Sequence, residues 1–406
     1  MLVTDRPDQV DLLVVGAGPA GTAAAVTARR LGLTVTVIDK AVFPRDKTCG
    51  DGLTTAALRA LARLGFPLAT LDGIAAPVGE VVLVSPSGRR VEVSLPAAGR
   101  HAAVVPRREL DARLVEHART FGATVLEGQA LAGLRDDEHT ADVIAELAGA
   151  TTIRAHWIIA ADGHFSPTRK LVDGPAAPRL GEWSAFRQYF TGVDDPRLWV
   201  LFEEDLLPGY AWVFPLPGGR ANVGFGVLRR PGVGGRAIRA LWDSLLDRPA
   251  VRAALGPRAR PVGPHRAWPI PTAYDPEALA AGRVLFVGDA ASVVDPMTGE
   301  GIAQALETGM LAAEAVAAGG NVSERYRRSV ERTLGRDLRF AARLQTVLAS
   351  PLGARLAIRA AGLTPWTRRN FARWMFEDYP RALVLTPDRW RLPLPVRFPV
   401  GGQRRS

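Results

Sequence analysis

An α/β fold is predicted, in which a parallel nucleotide-binding sheet carries a second, mainly antiparallel sheet and a helical C-terminal region. Three features of the sequence point to it. The chain opens with an apolar run, a glycine-rich turn, a stretch of helical composition and a second apolar run. Two later apolar runs, over 157–161 and 282–287, each lead into an acid beside glycine. Between them Tyr210, Trp212 and Phe214 alternate along a run that turns at Gly218-Gly219 and returns through Gly224 and Gly226, the period-two pattern of a hairpin.

The 406 residues, 47% hydrophobic and 23% charged, suffice for two or three structural units around a large core. That composition excludes disorder, collagen-like repeats and coiled coil. The single cysteine, Cys49, forms no internal disulfide, and the six histidines are too scattered for zinc-ligand spacing, so no metal is expected and a reducing compartment fits. The first ten residues carry charge where a signal peptide needs an apolar run, and no stretch of about 18 apolar residues appears. A cytoplasmic protein is expected. Its net charge is +10, but residues from Ser323 onward hold 18 Arg and 6 acids, while residues 1–322 have a net charge of −2. Only Lys40, Lys47 and Lys170 are lysines. Such a tail suits anionic lipid, nucleic acid or an acidic protein.

The first strand, over 11–15, runs directly into Gly16-Ala17-Gly18-Pro19-Ala20-Gly21 and a helix. Gly16 permits the tight turn, Gly18 lets backbone approach a pyrophosphate, and Gly21 lets the helix pack close to the sheet. The unpaired N–H groups of the helix start then face the phosphates. The second strand, over 33–38, alternates with β-branched residues and ends at Asp39-Lys40. Asp39, 18 residues after Gly21, stands where a carboxylate accepts hydrogen bonds from an adenosine ribose. This Rossmann-like unit serves FAD and NAD alike.

The strand over 157–161 leads into Asp162-Gly163-His164-Phe165-Ser166-Pro167-Thr168-Arg169. The strand over 282–287 leads into Gly288-Asp289, then Pro296-Met297-Thr298-Gly299-Glu300-Gly301-Ile302 and a helix to about Ala318. Pro106-Arg107-Arg108 opens another helix. In this order the motifs resemble the FAD-dependent oxidoreductases of the para-hydroxybenzoate hydroxylase type, where GxGxxG, DGxxSxxR and a late GD follow one another. The resemblance implies FAD, with Asp162 and Gly163 beside it and Asp289 on its ribityl chain. The turn from Pro296 through Gly299 and Gly301 to Ile302 would place a helix N-terminus against the flavin pyrimidine, favouring the anionic reduced flavin. Glu300 opposes that field. The family usually has an arginine near the cofactor where Arg107 stands; a solvated helix-start arginine is the other reading.

Two segments narrow the family. After the second strand comes Phe43-Pro44-Arg45-Asp46-Lys47-Thr48-Cys49-Gly50-Asp51-Gly52-Leu53. Gly50 and Gly52 flank Asp51 and allow backbone close to a flat ring, while Arg45 and Lys47 supply charge near a cofactor or donor, so Lys47, Cys49, Gly50, Asp51 and Gly52 are expected to contact the cofactor. In the hairpin, Tyr210, Trp212 and Phe214 share one face, and Asn222, Gly224 and Gly226 share a nearly bare one. Alternate glycines in a strand imply close approach of another group, so the pair is expected to form a narrow apolar slot, core packing being the other reading. The patterns KxCGxG, from Lys47 to Gly52, and [YF]xWxFP followed by eight residues and GxG, from Tyr210 to Gly226, resemble the geranylgeranyl reductase family, including bacterial menaquinone reductases. Many members acting on archaeal lipids have glycine where Asp51 stands, which places this chain nearer the quinone-modifying branch.

The resemblance implies saturation of isoprenoid double bonds in a prenyl lipid, menaquinone or a geranylgeranyl lipid, by hydride from reduced FAD. An external donor, NAD(P)H or a reduced carrier, would supply the electrons. An isolated trisubstituted alkene has no carbonyl to stabilise a carbanion, so the site must hold it dry and deliver a proton. Cys49, Tyr210 and Trp212 are the candidate catalytic residues, Cys49 or Tyr210 assisting protonation directly or through water. Residues 1–75, 101–177 and 271–322 are expected to build the FAD-binding domain, 76–100 and 178–270 the substrate domain, and 323–406 the basic helical region.

In that region 337–349 is amphipathic, Ser350-Pro351 starts a second helix and Thr364-Pro365 a third, where Trp366, Phe371, Trp374 and Met375 alternate with Arg368, Arg369 and Arg373. These helices suit an anionic membrane surface, at the inner face of the cell membrane, or a cap on the active-site tunnel. Nucleic acid is not an expected partner, since no recognition module is visible. A flavin-dependent monooxygenase or halogenase is the rival reading, because fold does not choose the reaction. The halogenase pattern WxWxIP is broken here by Tyr210 and Phe214. A non-catalytic flavin or quinone carrier is the third.

Overall fold

The computed structural model describes residues 9–95, 101–137, 139–140, 142–173, 181–229 and 235–367. It is α/β, as expected. Strands Val284–Phe286, Thr152–Ala160, Gln9–Val15, Val35–Asp39 and Thr124–Glu127 lie in that order, all parallel, so the strand ends that carry Asp39, Asp162 and Asp289 open on one edge of the sheet. That edge is where ligands of open α/β sheets bind. Leu131–Asp136 and Val143–Leu147 extend the sheet antiparallel from Thr152–Ala160, and Ala280–Ala281 closes its far edge.

Helices Pro19–Arg30 and Ile302–Ala318 pack together on this sheet because both are rich in small residues. At Gly309 a Cβ would stand 2.2 Å from the Ala20 carbonyl oxygen, so the two helices meet backbone to backbone. Both therefore aim their N-termini at the same strand edge.

The second sheet runs Arg260–Ile270, Trp183–Thr191, Arg220–Leu228, Tyr210–Leu216, Leu198–Leu201, Glu80–Val84, Arg90–Ser94. Its pairs are antiparallel except Leu198–Leu201 with Glu80–Val84. Alternation divides its two faces. Phe186, Trp199, Val213 and Phe225 pack under helices Gly235–Leu246 and Pro249–Leu255 through Ile238, Trp242 and Leu245. The other face, with Tyr210, Trp212 and Phe214, looks into a cavity.

The tail follows the predicted pattern as far as it is described. Helix Arg336–Leu348 buries Leu338 and Ala341, and Ser350 caps Pro351–Ala361 by accepting from the Gly353 N–H at 3.0 Å. Thr364 likewise accepts from the Thr367 N–H at 3.0 Å. Arg368, Arg369, Phe371, Arg373, Trp374 and Met375, on which part of the interface reading rested, lie outside the described residues. No helix among the described residues is long and apolar enough to cross a membrane.

Candidate active site

The glycine turn is built as its spacing predicts. Gly16 has φ 103°, and a Cβ there would meet the Ala161 carbonyl oxygen at 2.3 Å. A Cβ at Gly21 would meet the Gly16 carbonyl oxygen at 1.8 Å, so helix and turn require glycine for packing. At Gly18 the nearest groups are instead the guanidinium nitrogens of Arg45 and Arg107, at 3.7 and 4.0 Å. Helix Pro19–Arg30 begins there with neither a side-chain cap nor an acid in its first turn. Two cations and uncapped N–H groups thus converge on one strip of backbone. Asp111 steadies both arginines, accepting from Arg45 at 2.7 Å and from Arg107 at 2.7 and 2.8 Å. Arg107 is buried, which rejects the solvated reading.

Asp39 closes the turn, its carboxylate accepting from the Ala17 and Ala41 N–H groups at 2.8 Å each. Lys40, Ala20 and Asp39 line the same cavity as Gly16 and Gly18. Asp162 accepts from the Thr168 N–H at 2.9 Å through one oxygen, while its other oxygen is buried without a partner among the described residues. Burial pushes this carboxyl above its ordinary range, against bonds from Ser166 and Thr168. Gly163, Gly288 and Asp289 border the cavity beside it.

The turn before Ile302–Ala318 is shaped by Asp295, which accepts from the Met297 and Thr298 N–H groups at 2.9 and 2.8 Å. Gly299, Gly301 and Ile302 then present an uncapped helix start to the cavity. Glu300, which opposes the helix field, has its carboxylate bound by the Thr54 hydroxyl. An unpartnered carboxylate oxygen, two uncapped helix starts and two guanidinium groups along one groove fit a dinucleotide flavin.

The cavity measures about 660 Å³ and continues from this groove beneath the second sheet. Lys47, Cys49, Gly50 and Gly52 form its floor where the two parts meet. Cβ atoms at Gly50 and Gly52 would contact the Phe214 ring at 3.5 and 3.4 Å, so the flat rings that these glycines admit include the protein's own. Burial pushes the Cys49 thiol above its ordinary value, opposed by the Arg107 guanidinium beside it. Burial also pulls Lys47 down to about 8, against the attraction of Asp289, and its ammonium sits 3.5 Å over the Trp268 ring.

Three expectations are corrected. Asp51 does not line the cavity. Its backbone, at φ 64°, turns the carboxylate into a buried network of Tyr189 Oη at 2.7 Å, Asn222 Nδ2 at 2.8 Å and the Arg107 N–H at 3.1 Å. The strip at Gly224 is not open: a Cβ there would strike the Phe186 carbonyl oxygen at 2.2 Å and the Trp212 ring at 2.3 Å, so the slot is occupied by the indole. Only Gly226 faces the cavity. Pro296 does not line the cavity either, and its carbonyl accepts from Gln345 Nε2 at 3.1 Å. Gly21 also lies off the cavity, in the packing role its motif gives it.

Trp212 and Tyr210 do line the cavity, but their polar atoms are engaged. Trp212 Nε1 donates to Asn222 Oδ1 at 3.0 Å, and the Tyr210 hydroxyl donates to the Thr298 carbonyl. Sequence reasoning missed Trp183, Trp268 and the helix residues Leu344, Leu348 and Ile358 as cavity lining. Strand alternation carries the first two, whereas only the docking of the tail could reveal the others.

The chain matches the FAD binding domain family over residues 9–319. It is 37% identical over 321 residues to a menaquinone reductase of Mycobacterium tuberculosis, covering 76% of each chain. It is 31% identical over 353 residues to a digeranylgeranylglycerophospholipid reductase of Methanosarcina mazei, covering 82% of this chain and 83% of that one. The solved structure of a geranylgeranyl bacteriochlorophyll reductase-like protein from Thermoplasma acidophilum shares the fold, with TM-score 0.78, 22% identity and coverage of 93% of this chain and 99% of that one. A glycine cradle flanked by two arginines and an acid, one cavity that continues from it beneath the second sheet, and relatives matched along most of their length agree: this chain is an FAD-dependent oxidoreductase and belongs to the family of menaquinone and geranylgeranyl-lipid reductases.

Proposed function

We propose that the protein saturates isoprenoid double bonds of a prenyl lipid, menaquinone or a geranylgeranyl lipid. The observation that carries this reading is one cavity that runs from the dinucleotide groove to an aliphatic end formed by Leu83, Leu198, Val200, Leu348 and Ile358. Such a channel suits a long hydrocarbon and excludes water from it.

Bound reduced FAD supplies a hydride. Arg45, Arg107 and the turn at Gly18 would hold the pyrophosphate, Asp39 the ribose, and Asp289 with the helix start at Ile302 the flavin end. The remaining task of the chain is to seat the alkene and to deliver one proton to its other carbon. The Trp212 and Tyr210 rings seat it, with their polar atoms already bonded to protein. Cys49 is the better proton source of the two named candidates. Its burial keeps the thiol protonated, and Arg107 beside it stabilises the thiolate left after transfer. The thiol is then restored from solvent, so hydride and proton balance one reduced double bond.

The outer face of the tail helices exposes Val347, Leu352, Leu356, Leu363 and Trp366 beside Arg343, Arg355 and Arg359. This pattern supports contact with an anionic membrane surface from which the substrate enters, while the inner face caps the cavity. An external donor, NAD(P)H or a reduced carrier, would recharge the flavin.

The test is anaerobic. The flavoprotein is reduced, menaquinone and geranylgeranyl lipids are supplied separately, and products are read by mass spectrometry. A gain of two hydrogens per bond is expected; oxygen in the product, or a strict need for dioxygen, would overturn the reading.

A further inference from the structure

Lys47 carries an ammonium that the described residues do not pair. The side chain lines the cavity floor and is half-buried, and its Nζ sits 3.5 Å from the centroid of the Trp268 ring. Its charged neighbours, Asp289 foremost and then Arg107, Cys49 and Arg45, act on it through space, with no hydrogen bond among them. An aromatic face attracts a cation without neutralising it, so N–H donors and a whole positive charge remain for whatever occupies the cavity. Cations held away from water are normally paired and hydrogen-bonded.

The other cations of the groove are committed. Arg45 and Arg107 share Asp111 and face the strip at Gly18, where the charges of a pyrophosphate belong. Arg187 and Arg266 share Asp46, and Arg266 is 55% exposed, where solvent screens it. Lys47 has no acid of its own, and its strongest attraction is to Asp289, on the ribityl side of the groove.

That side is short of positive charge. The helix start at Ile302 amounts to roughly half a positive charge. Against it stand two whole negative ones: Glu300, next to the helix start, and Asp289, whose Oδ1 would lie 3.7 Å from a Cβ at Gly301. The Thr54 hydroxyl binds the Glu300 carboxylate without cancelling its charge. Reduction of FAD by the external donor adds two electrons and one proton and leaves one negative charge on the ring. The helix start alone cannot offset that charge beside two carboxylates; the unpaired ammonium on the same cavity can.

We propose that Lys47 Nζ donates to the ring of the bound flavin and supplies the cation that offsets the negative charge of the reduced ring, so that it raises the reduction potential of the protein. The assignment rests on the FAD reading and is independent of which prenyl lipid is reduced.

The test is spectroelectrochemical titration of the FAD-loaded full chain, comparing wild type with Lys47→Met, Lys47→Gln and Lys47→Arg. Lys47→Met should lower the ratio of reduced-FAD to oxidised-FAD affinity about tenfold or more, the loss expected for a hydrogen bond to a charged group, which is about 30 mV for a two-electron couple. Lys47→Gln, with a donor but no charge, should behave like Lys47→Met, and Lys47→Arg should stay near wild type. Anaerobic absorbance titration should show the reduced flavin losing its proton about one pH unit higher in the two neutral variants. A lysine with a merely structural role would change FAD content or melting temperature and leave both readings in place. An unchanged potential in Lys47→Met or Lys47→Gln would overturn the proposal. So would loss of FAD from both neutral variants with retention by Lys47→Arg, since the ammonium would then hold the oxidised cofactor through its pyrophosphate. Either result leaves prenyl reduction intact; absence of saturated product from the wild type in the anaerobic assay would strike that reading and leave this one standing.

Discussion

Asn222 Nδ2 donates to the Asp51 carboxylate at 2.8 Å across 171 residues of chain, and the same nitrogen donates to the Cys49 carbonyl at 2.8 Å. Asn222 also accepts from Trp212 Nε1. One amide of the second sheet therefore fixes both the loop that carries the thiol and the indole that faces it. This buried network is what makes the two sheets a single site.

Asp51 gives the network a pH signature. Burial pushes its carboxyl up from 3.8 to about 6 despite its donors, Tyr189 and Asn222 foremost. Between those values the native protein keeps a proton that the unfolded chain has released. Its contribution to stability is complete below the unfolded value and lost as pH rises through the folded one, about 3 kcal/mol across the window. Denaturant titrations of wild type and Asp51→Asn should show the wild type losing roughly that much relative to the variant between about pH 4 and pH 7. A difference that stays constant with pH would mean that the carboxylate is charged throughout.

Gly224 and Gly226 look alike in sequence and are expected to respond oppositely. Gly224→Ala drives a methyl into the Phe186 carbonyl and the Trp212 ring, which should cost about 1–3 kcal/mol or more and lower the melting temperature. At Gly226 the nearest atom is Trp183 Cε3 at 4.0 Å. Gly226→Ala should fold normally and raise KM for a prenyl substrate by narrowing the cavity.

The cofactor groove can be tested without breaking its buried pair. Asp111 is bound by both Arg107 and Arg45, and Arg45 is the more exposed of the two. Arg45→Met leaves Asp111 paired with Arg107, so the fold should hold. Loss of one charge-assisted contact near Gly18 is expected to weaken FAD binding about tenfold to hundredfold, measured by flavin fluorescence on reconstitution. Arg107→Met should be worse on both counts, because it strips the buried partner of Asp111.

The groove was legible in the sequence because it is local. Gly16, Gly18, Gly21 and Asp39 lie within 24 residues of chain, and each role follows from backbone geometry near that residue. The alternation of Tyr210, Trp212 and Phe214 gave their shared face for the same reason. What it could not give was the occupant of the bare strip. Gly224 is glycine because the Trp212 ring and the Phe186 backbone lie against it, a cross-strand fact set by register. Asp51 was misread because a left-handed backbone at φ 64° reverses where its side chain goes, and nothing in KxCGxG announces that. Trp183 and Trp268 carry a strand pattern but no motif, and the helices of the tail reach the cavity only through tertiary docking.

The outer face of the tail predicts its own assay. Leu352 and Trp366 are each 66% exposed, and transfer of such side chains into a bilayer interface contributes about 1.5–3 kcal/mol apiece. The exposed Arg343 and Arg359 beside them add attraction for anionic lipid, so sedimentation with phosphatidylglycerol vesicles should exceed that with neutral vesicles and decline with salt. Leu352→Ala and Trp366→Ala should each reduce it about tenfold, with anaerobic turnover of a detergent-dispersed substrate unchanged. Equal binding to neutral and anionic vesicles would remove the electrostatic part.

The proposed role of Cys49 as proton source is open to direct test. Its thiol is pushed upward from 9.0 by burial, so it stays protonated through the neutral range, and any change in the rate of alkene reduction near pH 6 or 8 is expected to follow Asp51 or Lys47 rather than the thiol. Cys49→Ala removes the donor and is expected to slow single-turnover reduction by about 10²–10⁴-fold, with flavin content and substrate affinity preserved. Cys49→Ser keeps a hydroxyl in place of the thiol and should recover part of the rate. If the alanine variant instead reduced the alkene at the wild-type rate, the proton would have to come from elsewhere. The Tyr210 hydroxyl, released from the Thr298 carbonyl, would be the next group to examine, and Tyr210→Phe would then carry the loss.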